Sequence, residues 1–166
     1  MNTGKAISIG DKIPDFSLKD QNGELFNVKD LLGRKKLVIF FYPRDGSLNC
    51  TNQACYFRDI YEFFEEAGAE VVGISEQSVE SHFHFATVNR LNYHILSDPD
   101  NIVRRLFGVP SKAFGLIPGR VTYVVNLKGE VVYIFDSQTN TQKHVDEALK
   151  IVLVLKKTDH LEKNNK

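Results

Sequence analysis

The sequence has no tryptophan, a single methionine and only two cysteines among its 166 residues. A structural zinc site needs four ligands, which two cysteines cannot supply by themselves. The chain also lacks a net charge, because its 21 basic and 21 acidic residues balance and are interspersed. This balance argues against nucleic acid and against anionic membrane surfaces as partners.

Long apolar runs are absent as well. No run is long enough to span a bilayer, and residues 1–5 lack the apolar centre of a signal peptide. We therefore expect a cytoplasmic protein. Thiols are kept reduced in the cytoplasm, so a close cysteine pair there is more often catalytic, redox-sensing or metal-binding than a structural crosslink. Length and composition predict one globular domain over residues 1–166.

Apolar periodicity and turn residues predict strands that alternate with helices. Asn22-Gly23 predicts an N-terminal β-hairpin, and Lys128-Gly129 predicts that the last two strands are antiparallel. The predicted strands cover residues 15–19, 24–28, 36–41, 69–75, 93–96, 121–126 and 131–136. The predicted helices cover residues 29–32, 47–67, 78–90, 98–107 and 144–157, before a frayed tail over residues 158–166. The pattern predicts an α/β fold with a mixed central sheet flanked by helices.

Cys50 and Cys55 lie between a predicted buried strand and the start of the long helix. At such a turn the helix dipole and free N–H groups favour an anion, and the thiolate is the reactive form of cysteine. Within a helix, their spacing separates the Cα atoms by roughly 8–9 Å and turns the side chains about 140° apart. A disulfide needs Cα atoms closer than about 7 Å. Either the pair never bonds, or it bonds only after the first turns unwind.

Three residues around Cys50 favour the second alternative, a redox cycle with a local conformational change. Ser47 is a natural N-cap, and its hydroxyl can donate to an oxygen bound near Cys50. Pro43 fixes the backbone that leads into the helix and shields one wall of a pocket. Arg120 starts a later strand. If the sheet brings that strand beside residues 36–41, the guanidinium reaches the thiolate and stabilises it.

The spacing of Pro43, Ser47 and Cys50 resembles the peroxiredoxin motif of Pro, three residues, Thr or Ser, two residues and Cys. The second cysteine, with the sequence around it in residues 50–59, resembles the bacterioferritin-comigratory or Q-type subgroup. The resemblance extends over nearly the whole chain and includes residues 10–16, 96–100, 107–109, 118–125 and 144–149.

The resemblance implies a thioredoxin-like fold and the reduction of hydrogen peroxide and organic hydroperoxides. Cys50 would be the peroxidatic cysteine, and Cys55 the resolving cysteine of an intramolecular disulfide that thioredoxin or a similar dithiol reopens. Pro43, Ser47 and Arg120 would complete the pocket, with no metal or organic cofactor. We expect a monomer, with a weak homodimer as the alternative.

Two positions depart from the family pattern. Leu48-Asn49 stands where the family often has Pro-Gly, and Gln53 stands where the subgroup often has Glu. The first departure should alter local flexibility and the second should alter local charge. Neither removes a group that the chemistry needs.

Other interpretations of the cysteine pair remain open at this point. One is a non-catalytic redox sensor that signals by the same unwinding. Another is a thiol–disulfide oxidoreductase, although that class has two residues between its cysteines rather than four. A zinc site with His82 and His84 is disfavoured, because residues two apart face different sides of a helix. Three histidines are assigned to the surface or to helix caps: His94, His144 and His160. Three arginines are assigned to solvated surface charge: Arg44, Arg104 and Arg105. The twelve phenylalanines are assigned to the core.

Overall fold

The computed structural model describes residues 5–165, which form five α-helices and nine β-strands. The strands are β1 (Ser17–Asp20), β2 (Leu25–Asn27), β3 (Lys36–Phe41), β4 (Ala69–Ser75), β5 (His94–Ser97), β6 (Ser111–Lys112), β7 (Ile117–Pro118), β8 (Val121–Val125) and β9 (Val131–Asp136). The helices are α1 (Leu48–Asp59), α2 (Tyr61–Glu66), α3 (Val79–Val88), α4 (Ile102–Phe107) and α5 (Thr141–Asn164). Short 3-10 turns lie at Val28–Asp30 and Pro99–Asn101.

Seven of these strands form one mixed sheet in the order β2-β1-β5-β4-β3-β8-β9. The central strands β3, β4 and β5 are parallel, whereas β8 pairs with β3 and with β9 in antiparallel orientation. The N-terminal hairpin of β1 and β2 joins the sheet beside β5. The mixed sheet and the hairpin are therefore confirmed. The small separate hairpin of β6 and β7 was not predicted.

Strand β3 lies in the interior of the sheet, and all six of its residues are buried. Val38 and Phe40 pack into the apolar layer that also contains residues of α1, α2, α3 and α5. Leu37, Ile39 and Phe41 pack into the opposite layer, with residues of α4 and of the N-terminal segment. A strand that is apolar on both faces suits the middle of a sheet covered on both sides.

Glycine at position 73 of β4 allows the sheet to pack closely. A Cβ atom there would lie 2.7 Å from Phe40 Cζ and 2.9 Å from Ile95 Cδ1. Gly73 therefore has a packing role in a buried strand.

The predicted helix over residues 47–67 is divided into α1 and α2. Ile60, between them, has φ −115° and ψ 17°, which interrupts the helical backbone. The last helix is longer than predicted, since α5 begins at Thr141 and continues to Asn164. The prediction of a frayed tail is therefore wrong for residues 158–164, and Lys166 lies outside the described residues. An ion pair between Asp159 on α5 and Lys36 on β3, 2.8 Å long, holds this end of the helix to the sheet.

Two further predictions need correction. The helix predicted from residue 98 begins only at Ile102, because Asp100 and Asn101 have left-handed φ values of 61° and 55°. The core assignment is wrong for Phe63, Phe83 and Phe114, which are exposed on the outer faces of α2 and α3 and between β6 and β7. Within residues 5–165, none of the helices has the length and apolar character needed to cross a membrane.

Candidate active site

Cys50 lies in the first turn of α1, shortly after β3 ends, and its residue is only 1% exposed. Ser47 caps the helix as predicted, because its side-chain oxygen accepts the Cys50 N–H at 3.3 Å. The Ser47 hydroxyl proton is not used in this bond and can still be donated to another oxygen. The cap therefore holds the first turn of the helix and places a hydroxyl beside the thiol.

Arg120 reaches Cys50 because β8, which follows it, pairs with β3. Its Nη2 atom lies 3.3 Å from Cys50 Sγ, and the residue is 2% exposed. The other guanidinium nitrogens are also held: Nε donates to the Gln138 carbonyl at 2.9 Å, and Nη1 donates to Gln53 Oε1 at 2.6 Å. A positive charge is thus fixed against the sulfur in a buried site, where charge-assisted hydrogen bonds are strong.

Two glutamines orient this guanidinium. Gln138, which the sequence analysis missed, accepts the Arg120 N–H at 3.1 Å and donates to the Pro118 carbonyl at 2.9 Å. Gln53 is fully buried, and its Nε2 atom has no hydrogen-bond partner among the residues that the structure describes. Because Gln53 is neutral, it orients Arg120 without neutralising the positive charge that faces the thiol.

Cys55 lies on the same helix in different surroundings. It is half-buried, and its Sγ atom contacts Arg58 Nη1 at 3.6 Å and Asn89 Oδ1 at 3.5 Å. A surface depression beside it is lined by Asn52, Tyr56, Asp59, Thr141 and Gln142. Both cysteines are free thiols within α1, so the intact helix keeps them too far apart for a disulfide.

Asp45 fixes the loop between β3 and α1, which also contains the half-buried Pro43. Its carboxylate accepts a hydrogen bond from the Tyr42 hydroxyl at 2.6 Å and from the Ser81 hydroxyl at 2.8 Å, and it contacts His82 Nδ1 at 2.6 Å. Burial opposes ionisation of Asp45, but these hydrogen bonds outweigh burial and hold the pKa of the carboxyl below its usual value. Burial, with Asp45 nearby, raises the pKa of Tyr42.

The histidines considered for zinc do not converge on a metal site. His82 is fully buried, and its ring nitrogens face Asp45 and, at 3.1 Å, the Leu96 carbonyl. His84 is exposed on the outside of α3. Among residues 5–165, no cluster of three or more histidine, cysteine or acidic side chains is arranged to hold a metal ion.

His144 is buried, so its assignment to the surface or to a cap is wrong. Its Nε2 atom lies 2.7 Å from the Ser137 carbonyl and its Nδ1 atom 2.8 Å from Thr122 Oγ1. Burial lowers the pKa of His144 to about 4 against the opposing effect of the Ser137 bond, and Arg120 contributes to the lowering. The ring is therefore neutral at pH 7, with Nε2 donating to Ser137 and Nδ1 accepting from Thr122.

Arg104 is the second wrongly placed residue, since it is 7% exposed rather than solvated. It donates from Nη1 to the Gly119 carbonyl at 2.8 Å and from Nη2 to the Tyr42 carbonyl at 2.9 Å. Both acceptors lie next to residues of the predicted pocket. Backbone carbonyls leave no signal in the sequence, which is why this position could not be recognised. Arg105 is exposed, as predicted.

Fold and site together define the class: a thiol peroxidase with a thioredoxin-like fold, in which a guanidinium faces a buried thiol at a strand-to-helix turn. A sequence model of the AhpC/TSA family matches residues 9–134. The chain belongs to this family, whose members reduce peroxides at the expense of a thiol reductant.

Plant proteins and bacterial structures show the same relationship. The chain is 48% identical over 146 residues to chloroplastic peroxiredoxin Q of Triticum aestivum, an alignment that covers 88% of this chain and 67% of that protein. It is 47% identical over 150 residues to chloroplastic peroxiredoxin Q of Sedum lineare, covering 90% and 80%. Among solved structures, peroxidoxin BcpB of Mycobacterium tuberculosis superposes with a TM-score of 0.83 at 34% identity, covering 90% of this chain and 98% of that one.

A second structure resembles the chain less closely in sequence. The bacterioferritin comigratory protein of Xanthomonas campestris, whose structures address alkyl peroxide reduction, has a TM-score of 0.77 at 26% identity and covers 85% of this chain and 92% of that one. These neighbours confirm the predicted thioredoxin-like fold and the assignment to the Q-type peroxiredoxins.

Proposed function

We propose that Cys50 is the peroxidatic cysteine in the reduction of hydrogen peroxide and organic hydroperoxides. Its thiolate attacks the terminal peroxide oxygen in line with the O–O bond. That bond breaks, the sulfur becomes a sulfenic acid, and the remaining oxygen leaves as water or an alcohol after taking a proton. The observation that carries this proposal is the contact of 3.3 Å between Arg120 Nη2 and Cys50 Sγ in a buried site.

Arg120 and Ser47 assist this step. The guanidinium stabilises the thiolate before attack and the charge that develops on the leaving oxygen. The Ser47 hydroxyl donates to one of the peroxide oxygens, since its own cap bond uses only an acceptor lone pair. Pro43 forms one wall of the pocket, on the loop that Asp45 holds in place. The Cys50 N–H already donates to the Ser47 side-chain oxygen.

Cys55 acts as the resolving cysteine. After α1 unwinds locally, its thiolate attacks the sulfur of the Cys50 sulfenic acid, the S–S bond forms as the S–O bond breaks, and the hydroxyl leaves as water after taking a proton. A dithiol reductant, thioredoxin or a protein like it, then restores both thiols by disulfide exchange. The depression beside Cys55 supports this role, because it leaves the region of the second sulfur open to a reductant.

The remaining assignments complete the proposal. The protein works as a monomer with a single domain over residues 1–166, with a weak homodimer as the alternative state. It needs no metal or organic cofactor and binds neither nucleic acid nor membrane. We assign it to the cytoplasm, whereas the plant relatives carry chloroplastic names.

The proposal is tested by peroxide turnover with thioredoxin as the reductant. Cys50→Ser should abolish turnover, because no other residue offers a thiolate at the pocket. Cys55→Ser should consume one peroxide per chain and then stop at the sulfenic acid unless an external thiol is added. Turnover that persists in Cys50→Ser would contradict the assignment.

The rate of the first step separates an enzyme from a redox sensor that lacks an active pocket. In the wild-type protein, Cys50 should be oxidised far faster than a free thiol, and Cys55 should not be oxidised first. Quenched-flow mixing with peroxide, followed by mass spectrometry of each cysteine, measures both. A second-order rate constant equal to that of a free thiol would favour the sensor.

A further inference from the structure

Arg104 bridges the two chain segments that supply the pocket around Cys50. It is buried in α4, and the Asp98 carboxylate holds the start of this helix by accepting the Val103 N–H at 3.0 Å and the Arg104 N–H at 2.9 Å. The guanidinium carbon lies 5.6 Å from the centre of the Phe41 ring. The side chain is therefore fixed at its base by α4 and along its length by β3.

The bridge lies where the ladder between β3 and β8 ends. The last paired residues are Phe41 and Val121, and beyond them the two strands separate. Arg104 donates to the Tyr42 carbonyl on one side and the Gly119 carbonyl on the other, at 2.9 Å and 2.8 Å. The residues that follow these acceptors are Pro43 and Arg120. One planar guanidinium thus sets the distance between the loop before Cys50 and the residue that contacts its sulfur.

The Gly119 side of this bridge has no freedom to adjust. A Cβ atom on Gly119 would lie 1.9 Å from the Pro110 carbonyl oxygen, so the backbone there is in direct contact with the chain after α4. The Arg104 guanidinium presents two donors at a fixed angle, which matches the two carbonyl acceptors. A lysine ammonium cannot reproduce this geometry.

The composition of the pocket indicates that Arg104 serves the site rather than stability alone. Within residues 5–165, the buried side-chain nitrogen or oxygen atoms without a hydrogen-bond partner are Arg104 Nε and Gln53 Nε2. Each belongs to a side chain that holds Arg120 or the residue before it. Unpaired buried donors are rare in folded proteins, and a role in a catalytic site is one physical reason for keeping them.

Two cations lie around this part of the pocket, Arg120 before β8 and Arg104 on α4. Arg120 faces the Cys50 thiol directly, while Ser47 and Gln53 are neutral. Arg104 adds a second positive charge at the Tyr42 and Gly119 carbonyls, with the Asp98 carboxylate at the start of its helix. Removing the Arg104 charge therefore disfavours the thiolate, whereas replacing it with another cation preserves the charge.

We propose that Arg104 is a positioning residue of the peroxidase reaction, which holds Pro43 and Arg120 in register around Cys50. The inference rests on the proposed function of Cys50. It adds a residue that touches neither substrate nor sulfur and acts through the two carbonyls that it bridges.

The test compares Arg104→Lys, which keeps the charge, with Arg104→Gln, which loses it. For each variant, the rate of Cys50 oxidation by hydrogen peroxide is measured from pH 5 to pH 9. The limiting rate at high pH, where the thiol is fully ionised, should fall about tenfold in both variants because the pocket geometry is lost. The pH midpoint of the profile should rise in Arg104→Gln and stay near the wild-type value in Arg104→Lys.

Arg105→Gln is the matched control, because it removes an exposed charge from the next position of the same helix. It should react like the wild-type protein. A wild-type limiting rate in Arg104→Lys would overturn the positioning role, and so would an unchanged rate and midpoint in Arg104→Gln. If Arg104→Gln does not fold, Arg104→Lys decides alone. Slow oxidation of wild-type Cys50 would instead overturn the proposed function, and this inference with it.

Discussion

Both cysteines lie on helix α1, but their surroundings differ. Cys50 is enclosed by a cap, a guanidinium and the core, whereas Cys55 is half-buried against polar side chains beside an open depression. The buried residues of α1 are Cys50, Gln53, Ala54 and Phe57. The Cys50 sulfur is therefore held in fixed surroundings on the buried face of α1. The Cys55 sulfur lies on a more accessible face of the same helix.

The core side of α1 also limits how far the helix can unwind. The Tyr93 hydroxyl donates to the Ala54 carbonyl at 2.7 Å in a buried position, and the ring of Phe57 stacks on Phe40 with centroids 4.6 Å apart. Residues before Ala54 lack such anchors apart from the pocket itself. We therefore expect oxidation to unwind the segment from Ser47 to about Cys55 and to leave Phe57 in place.

The largest effect is expected when Phe57, which anchors α1 in the core, is replaced. Phe57→Ala should lower the free energy of unfolding by about 3–5 kcal/mol, because the side chain is completely buried. Phe63→Ala is the control, since Phe63 is 48% exposed on the next helix, and its loss should be much smaller. Urea unfolding of the reduced proteins measures both. Equal losses in the two variants would show that Phe57 is not an anchor.

Acid should destabilise the part of the site around Arg120, because His144 is buried there. His144 has a pKa of about 4 in the folded protein and about 6.5 when unfolded, so the unfolded chain binds the extra proton first. The contribution of His144 to the free energy of unfolding is about 3 kcal/mol. It is complete above pH 6.5 and is lost as the pH falls towards 4. Asp45, whose pKa is lowered from 3.8, adds a further loss in the same direction only as the pH falls below that value.

The variant His144→Gln isolates this contribution. Its free energy of unfolding should depend less on pH between 7 and 4 than that of the wild-type protein. His160→Gln, at an exposed position of the same helix, should keep the wild-type dependence. A dependence in His144→Gln as steep as in the wild type would contradict the burial argument.

Removing the Arg120 guanidinium tests whether this cation affects the reactivity of Cys50 and not that of Cys55. Arg120→Ala should slow oxidation of Cys50 by about 100-fold, a loss of about 2.7 kcal/mol of transition-state stabilisation. Alkylation of Cys55 should change little, because its own cation contact is with Arg58. The exposed Arg34→Ala serves as control. An unchanged rate at every pH would mean that the contact with Arg120 has no chemical role.

The smallest effect is expected at the Tyr93 hydrogen bond. Tyr93→Phe should cost about 1 kcal/mol of stability and extend the unwound segment of the oxidised protein past Cys55. Amide exchange of the reduced and disulfide forms measures this, and the more exposed Tyr133→Phe provides the comparison. Identical exchange over residues 47–55 in the two redox forms of the wild-type protein would rule out local unwinding.

Much of the site could be predicted because short-range and sheet-pairing rules decide it. The Ser47 cap follows from residue type, and Arg120 reaches Cys50 because antiparallel pairing of β3 with β8 brings their ends together. Arg104 was misplaced because its partners are backbone carbonyls from distant segments, and His144 because its partners are the Ser137 carbonyl and the Thr122 hydroxyl. Charge and polarity in a sequence report the average environment of a residue type, and not the rare position where a polar side chain is buried.

The break at Ile60 has a consequence for the timing of the cycle. Because the helical backbone is interrupted there, only the 12 residues of α1 can take part in unwinding and rewinding. A helix of about 20 residues relaxes in about 0.1–1 μs, whereas disulfide exchange takes seconds or longer without a catalyst. Once the reductant has opened the disulfide, the pocket should re-form almost at once. The rate of turnover is then set by the reactions with peroxide and reductant, and not by the rewinding of α1.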